Sequence, residues 1–415
     1  MTTIAFVSHR YIDNYDFDLL LSPSDRLIAF VLEPFIAQFP ENKKQYFQEI
    51  VPIPMPAKNT GPLIRFDYAT LKSAIEKIIA QYHCQDNFWL LCVDEVNMCL
   101  SARLRDELNL PGIKENEAIL FQNKVSMKHH LKNTAIPIPR YVSFNASDAK
   151  SDPHAYYEKL KNTLGEKCVF KPSSYTGSFG VFIINCFDDF NAFLDSAVFE
   201  SHEYEAETFI QGDLYHCDIA MQNGKIIFSE CCEYTYPNND FSKGRVIASL
   251  ILKNDSPLKA TLSKLAMDAV MHLGAKNGVF HVELFVTPED IYFLEVAARP
   301  AGGLVAKMYE NMFDINLFTL DMGIHLEKEL PAVKRNDTFC LQALLPINQQ
   351  VIDDFHKAEF KSQPATEWLI QEEEIAKRAC RSVVDIAAKA LFHSTAYADI
   401  QRDFYTLKAL GVDRA

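Results

Sequence analysis

His281-Val282-Glu283-Leu284-Phe285 and Phe293-Leu294-Glu295-Val296-Ala297-Ala298-Arg299-Pro300-Ala301-Gly302-Gly303 read as two adjacent strands running into a rigid turn. If Pro288-Glu289-Asp290 is the connecting loop, the period-two register sets Glu283 opposite Glu295, with His281, Ala297 and Arg299 on the same face. Two carboxylates facing each other across a strand pair repel. A divalent cation turns that liability into a site, since magnesium is commonly held by one or two carboxylates while nucleotide phosphates supply other ligands. The competing reading is an edge hairpin with solvated acids on its outer face. Both strands are apolar, however, and Arg299 to Gly303 sets a cation and bare backbone beside the acids.

Working upstream, Lys171-Pro172-Ser173-Ser174-Tyr175-Thr176-Gly177-Ser178-Phe179-Gly180 joins two predicted strands, Cys168 to Phe170 and Val181 to Ile184. Small residues there leave backbone N–H groups free to fold over a polyphosphate, with the lysine supplying charge. Taken alone, the same loop reads as a flexible hairpin tip.

The remaining pattern is α/β. Ile4 to Val7, Ile50 to Ile53 and Phe88 to Val93 are predicted strands, alternating with helices over 25–38, 68–82 and 95–108. This grammar predicts a small parallel sheet with crossovers. The turn Ser8-His9-Arg10-Tyr11 contains no glycine, so the G-x-G-x-x-G dinucleotide loop is missing, and no G-x-x-x-x-G-K-[ST] loop occurs. Beyond a boundary near Pro111-Gly112, a helix is expected over 115–132, a strand over 137–142, a helix over 188–196 and a strand over 205–210. A hairpin about Asn223-Gly224 should join 215–221 to 225–230. A helix over 258–273 precedes the two acid-bearing strands. After about Pro331 a strand over 339–345 leads into helical segments.

The 415 residues suit two or three domains, and 48% hydrophobic with 23% charged residues is an ordinary globular composition. A net charge of −14 disfavours a nonspecific grip on nucleic acid or anionic lipid, so any bound anion must meet a local cluster of cations. No cleavable leader pattern opens the chain and no apolar run reaches membrane-spanning length; a cytoplasmic protein with no membrane and no nucleic-acid partner is expected. The 10 cysteines lack a C-x-x-C pair and are read as reduced, with Cys231-Cys232 a strand segment.

Lys124, Lys171 with its Gly/Ser loop, Glu207-Thr208-Phe209-Ile210-Gln211-Gly212, Glu283, and Glu295 through Gly303 together resemble, in order and spacing, the ATP-grasp superfamily, most nearly its carboxylate-amine ligases of the L-amino-acid (dipeptide) ligase kind. The resemblance implies an N-terminal Rossmann-like pre-ATP-grasp domain over 1–112, a small lobe over 113–212 carrying the flexible loop, and a large lobe with C-terminal segment over 213–415. It implies that Lys124 and Lys171 contact ATP phosphates, with Lys171 also near the adenine, and that Ser178 and its neighbours form the phosphate loop. Glu207 would accept from the adenine amino group, Ile210 would offer its backbone N–H to the ring, and His216 would approach nucleotide or substrate. Glu283 and Glu295 would hold magnesium, or manganese in its place. Arg299 would bind the acyl phosphate and its precursor carboxylate, while Gly302 and Gly303 let backbone amides approach that substrate. Arg299 and Lys171 are thus the catalytic candidates. Two positions depart from the pattern: Ala297 stands where many members carry a metal-binding Asn, and Leu214 where many place a ribose-binding Glu, with Asp213 beside it.

The implied reaction joins a small-molecule carboxylate to an amine with release of ADP and phosphate; many members are dimers, so a homodimer is one of the states open to this chain, whose sequence leaves its oligomeric state unread. Rival readings are a non-catalytic ATP-binding sensor, encouraged by Ala297 and Leu214, and a biotin-carboxylase-like enzyme using bicarbonate. Among lesser candidates, Arg245 reads as a second anion contact or a solvated side chain, and His281 as an orienter of Glu283 or a core histidine. Arg378 and Arg381 read as a solvated helix face.

Overall fold

The computed structural model describes residues 1–57, 63–196, 199, 202–378, 380 and 382–411. The first sheet comprises β1 (Thr3–Val7), β2 (Arg26–Leu32), β3 (Phe47–Ile53) and β4 (Phe88–Leu91), in the order β3-β2-β1-β4 and parallel throughout. The expected helix over 25–38 is corrected here: its first half is β2, the second half a 3₁₀ turn over Glu33–Gln38. Leu27 to Leu32 is an unbroken buried run with no polar face, as a central parallel strand requires and an amphipathic helix cannot offer. The helix Tyr68–Tyr82 forms where periodicity places it, and the Asp67 carboxylate caps it by accepting from the Thr70 N–H at 2.9 Å.

The second sheet comprises β5 (Tyr141–Ser143), β6 (Cys168–Pro172), β7 (Phe182–Ile184) and β8 (Tyr204–Thr208), ordered β5-β8-β6-β7 and antiparallel. Ahead of it, the expected helix over 115–132 is broken into Glu115–Ala118, a 3₁₀ turn and Lys124–Leu131. Asn123 is extended at the break and its side chain caps the last piece, so Lys124 begins a helix with Lys128 one turn along on the same face.

The third sheet has eight antiparallel strands: β9 (Asp213–Gln222), β10 (Lys225–Tyr234), β11 (Ile247–Ile251), β12 (Gly278–Val286), β13 (Ile291–Ala297), β14 (Phe339–Pro346), β15 (Ala365–Trp368) and β16 (Ile386–Ser394). Its order is β13-β12-β9-β10-β11-β14-β16-β15. The helical segments expected after 345 form at Gln349–Lys357 and Tyr397–Lys408, and the last two strands, not expected, lie between them. The alanine-rich stretch Ile386–Ser394 suits a helix by propensity, yet it lies along β14 from Phe339 to Pro346 with most of its residues buried, and tertiary pairing decides. Cys217 and Cys231, directly opposed on β9 and β10, are joined as a disulfide, against the expectation that all ten cysteines are reduced.

One apolar core joins the first sheet to the large lobe: Ile4, Phe6, Tyr15 and Phe17 pack with Met308, Tyr309, Phe318 and Met322 from the helices Val305–Phe313 and Leu317–His325. That packing sets the loops after β1 and β4 against the turn that follows β13. Among the described residues no helix is long and apolar enough to cross a membrane.

Candidate active site

A cleft of about 1030 Å³ lies between the sheets, lined by Lys124, Lys171, Ser178, Glu207 and Ile210 and by Asp213, Glu283, Glu295, Arg299, Gly302 and Gly303. Glu283 pairs with Glu295 and His281 with Ala297, the register expected from sequence, though reached differently. Val286 pairs with Ile291, so the turn is the four residues 287–290, and a bulge after Glu283 restores the alignment.

Cations from the helix Lys124–Leu131 and from β6 converge on acids of β8 and β13. The Lys124 ammonium donates to the Tyr175 carbonyl at 2.7 Å and lies 3.3 Å from Glu295 Oε2. Burial would raise the Glu295 carboxyl, but Lys124 and then Lys171 hold it below its ordinary value. Lys171 pairs with Glu207. Lys128, fully buried, donates to Glu205 and Glu207 at 2.5 Å each, and against the effect of burial the lysines keep Glu207 ionised below its usual range. The sequence reading missed Lys128, although its four-residue spacing from Lys124 was the available signal. Both oxygens of Glu207, assigned to the adenine amino group, are engaged by Lys171 and Lys128.

The Arg299 guanidinium binds Glu95 through Nε at 2.8 Å and Nη2 at 2.6 Å, and its Nη1 donates to the Pro300 carbonyl. Burial lowers its pKa, but the Glu95 carboxylate drives it well above the ordinary value. Glu95 is a second residue missed from sequence. It sits just past the C-terminal end of β4, where open parallel sheets commonly present ligand-binding groups. Asn238, also missed, donates its amide to Glu283 Oε1 at 2.7 Å.

The loop between β6 and β7 turns through three left-handed residues, Gly177, Ser178 and Gly180, with Ser178 the non-glycine at φ 55°. It is tied to the N-terminal domain: the Tyr175 hydroxyl accepts from Leu63 N–H and donates to Leu63 C=O, both at 2.9 Å, and Arg65 donates to the Ser174 carbonyl.

His216 departs from its expected place. It is fully buried and outside the cleft wall, with Nδ1 2.9 Å from Asp218 Oδ2 and Nε2 3.1 Å from Ser249 Oγ. Asp218 also accepts from Tyr309 and meets His281 Nδ1 at 2.8 Å. His281 does reach the cleft, its Nε2 3.6 Å from Glu283 Oε1. Burial pulls both imidazoles down, yet Cys232 and Asp218 around His216, and Asp218 with Glu283 around His281, raise each to about 9. Leu214 is buried in the cleft wall and Ala297 lines it without a polar group. Arg245 donates to the Gly411 carbonyl rather than entering the cleft. Arg378 lies past the short helix Glu372–Ile375, correcting the expected helix face, and Arg381 lies outside the described residues.

The family model for the ATP-grasp domain matches residues 164–307. The chain superposes on the crystal structure of an L-amino acid ligase from Bacillus licheniformis with a TM-score of 0.70 at 16% identity, covering 98% of this chain and 97% of that one. It superposes on an N5-carboxyaminoimidazole synthetase from Staphylococcus aureus complexed with ADP at 0.67 and 14%, covering 98% and 97%. Residues 164–307 thus match the ATP-grasp domain, and the chain as a whole has the fold shared by these structures. Its sequence is 25% identical over 249 residues to the L-arginine-specific L-amino acid ligase of Bacillus subtilis, a match spanning 58% of each chain, so it covers less than two thirds of that relative's length.

Proposed function

We propose that this protein is an ATP-dependent carboxylate-amine ligase that forms an amide or peptide bond between amino-acid-like substrates through an acyl phosphate, releasing ADP and phosphate. The observation that carries this reading is the cleft itself, in which Lys124 and Lys171 approach from one lobe while two opposed carboxylates and an arginine stand on the other. Phosphoryl transfer needs positioning and charge neutralisation more than a protein nucleophile, and this set supplies both.

In the proposed reaction an oxygen of the substrate carboxylate attacks the γ-phosphorus and the bond to ADP breaks. The amine nitrogen then attacks the acyl carbon, phosphate leaves with the bonding pair, and the nitrogen loses a proton. Lys124 and Lys171 hold phosphate oxygens, and the loop about Ser178 covers them and excludes water from the acyl phosphate. Glu207 and the Ile210 N–H face the adenine. For Glu207 this requires its pairing with Lys171 to loosen on nucleotide binding. Arg299 holds the reacting carboxylate in exchange for Glu95, with Gly302 and Gly303 offering backbone amides. His216 acts from behind the wall as a positioning residue, through Asp218 and His281 on Glu283.

Glu283 and Glu295 fit a hard divalent cation such as magnesium: both are oxygen donors, they oppose each other across one strand pair, and both line the cleft. Bound there, magnesium or manganese would neutralise charge on the transferring phosphoryl group. Ala297 leaves that site without an amide from its own strand, while the Asn238 side chain already touches Glu283. We further propose domain limits at 1–112, 113–212 and 213–415, which agree with the spans of the three sheets.

Lys171→Ala and Glu295→Ala are expected to abolish ADP formation in a coupled assay, and turnover at the wild-type rate in either contradicts the assignment. Ala297 and Leu214 favour one alternative, nucleotide binding without chemistry, which ATP binding with no ADP release under any acid-amine pair would identify.

A further inference from the structure

The loop Ser8-His9-Arg10-Tyr11 after β1 is built at a cost. Ser8 and Tyr11 both hold left-handed conformations, φ 85° and 67°, that side-chain-bearing residues seldom adopt. Stacking fixes the loop on two sides, with the His9 ring 5.0 Å from Phe35 and the Tyr11 ring 5.3 Å from Phe318. Such strain persists where surroundings over-determine it, and here it delivers Arg10 and Tyr11 into the wall of the cleft.

Arg10 arrives there only loosely paired. Its Nε is buried and has no hydrogen-bond partner among the described residues. Asp94 Oδ1 stands 3.9 Å away, too far for a hydrogen bond, and Asp94 Oδ2 accepts from Asn97 at 3.1 Å. Nη2 reaches the Tyr11 hydroxyl at 3.4 Å. The contrast with Arg299 is direct, because that guanidinium is gripped by Glu95 at 2.6 and 2.8 Å. Both arginines line one cleft, and a Cβ at Gly302 would come within 3.8 Å of the Tyr11 hydroxyl, so the strained loop abuts the turn carrying Arg299.

A half-buried guanidinium that lines a ligand cleft with only a loose ion pair to hold it calls for an anionic acceptor, and planar forked donors match a carboxylate. We propose that Arg10 forms a second carboxylate subsite, which receives a carboxylate that is not activated in the reaction. Resting on the ligase reading, this defines the substrate class: besides the reacting acid at Arg299, the substrate pair carries a spectator carboxylate. Its source is the α-carboxylate of an amino acid serving as the amine, or a second carboxylate on the acid donor.

The test compares Arg10→Gln and Arg10→Lys with wild type, using proteinogenic L-amino acids, their C-terminal amides, and hydroxylamine as an amine without a carboxylate. Hydroxylamine takes the acyl group from the acyl phosphate, giving a hydroxamate and phosphate. If the amine brings the spectator group, wild type prefers the amino acid to its amide, and Arg10→Gln reduces that preference in kcat/KM about tenfold or more. The ratio of peptide to hydroxamate formation falls alongside, and Arg10→Lys recovers part of both. If the acid donor brings it, Arg10→Gln instead reduces the preference for dicarboxylic over monocarboxylic donors with either amine. Equal losses with every substrate, together with a lowered melting temperature, show a structural role and overturn the subsite. A wild-type protein that forms no product defeats the ligase reading separately. In that event isothermal titration of the same acids and amides into the magnesium-ADP-loaded protein still decides, and equal affinity for acid and amide overturns the subsite.

Discussion

Removing the Lys128 ammonium would leave Glu205 and Glu207 in the protein interior with Lys171 alone to neutralise them. Breaking a buried ionic cluster from one side costs about 3–5 kcal/mol, so Lys128→Met is expected to lower unfolding free energy by that order in a urea titration. A change within about 0.5 kcal/mol, as for an ordinary surface substitution, would show that the cluster is not held as described. His216 sets a pH dependence of known sign. Its folded pKa of about 9 lies above the ordinary 6.5, so its contribution is fully present below about pH 6.5 and is lost as pH rises through 9. Asp218, depressed by the two imidazoles despite its burial, contributes in the opposite direction, losing its share only as pH falls below its ordinary value of 3.8. The melting temperature should therefore decline between pH 6.5 and 9, and His216→Gln should flatten that decline; an unchanged slope would contradict the pairing. At this scale the residues that bear their own sequence signal were legible: the loop lysine, the paired acids and the arginine before Pro-Ala-Gly-Gly. Glu95 and Arg10 were not, because each matters only where the packing of the first sheet carries it to a turn some two or three hundred residues away in the chain.

Tyr175 is the clasp of the loop between β6 and β7, joined to Leu63 by two hydrogen bonds through one hydroxyl. Tyr175→Phe removes both while keeping the ring, for a loss of about 1–2 kcal/mol, or about five- to thirtyfold in the population of the open loop. Limited proteolysis within 174–180 should accelerate accordingly, and cleavage at the wild-type rate would mean that other contacts hold the loop. The elements themselves show why some were readable. The β12–β13 hairpin was fixed by two apolar strands whose faces cannot be exchanged without exposing one of them, so even a mistaken loop length left the register intact once the bulge absorbed the extra residue. Arg26–Leu32 and Ile386–Ser394 were misread because a short apolar run has no period of its own, and only its neighbours in the sheet decide between helix and strand. The break at Asn123 was hidden by a continuous helical pattern, although the Asn cap was present in the sequence.

Across the whole molecule, an excess of acidic charge surrounds a cleft whose lining brings cations and carboxylates together in nearly equal number. Lys124 and Lys171 from the small lobe, Arg10 from the N-terminal domain and Arg299 from the large lobe meet in one place despite a net charge of −14. The architecture was legible as α/β with a nucleotide-cleft signature because the motifs recur in order along the chain, whereas the substrate pocket is assembled from loops of separate sheets and has no linear signature. The measurement that bears most directly on the proposed chemistry is phosphate release from magnesium ATP against a matrix of amino acids, singly and in pairs, with mass spectrometry of the products. A ligase releases phosphate only with a particular pair and yields a product one water lighter than their sum. No release with any pair, while ATP still raises the melting temperature, would contradict the ligase and leave a protein that binds the nucleotide without joining amino acids.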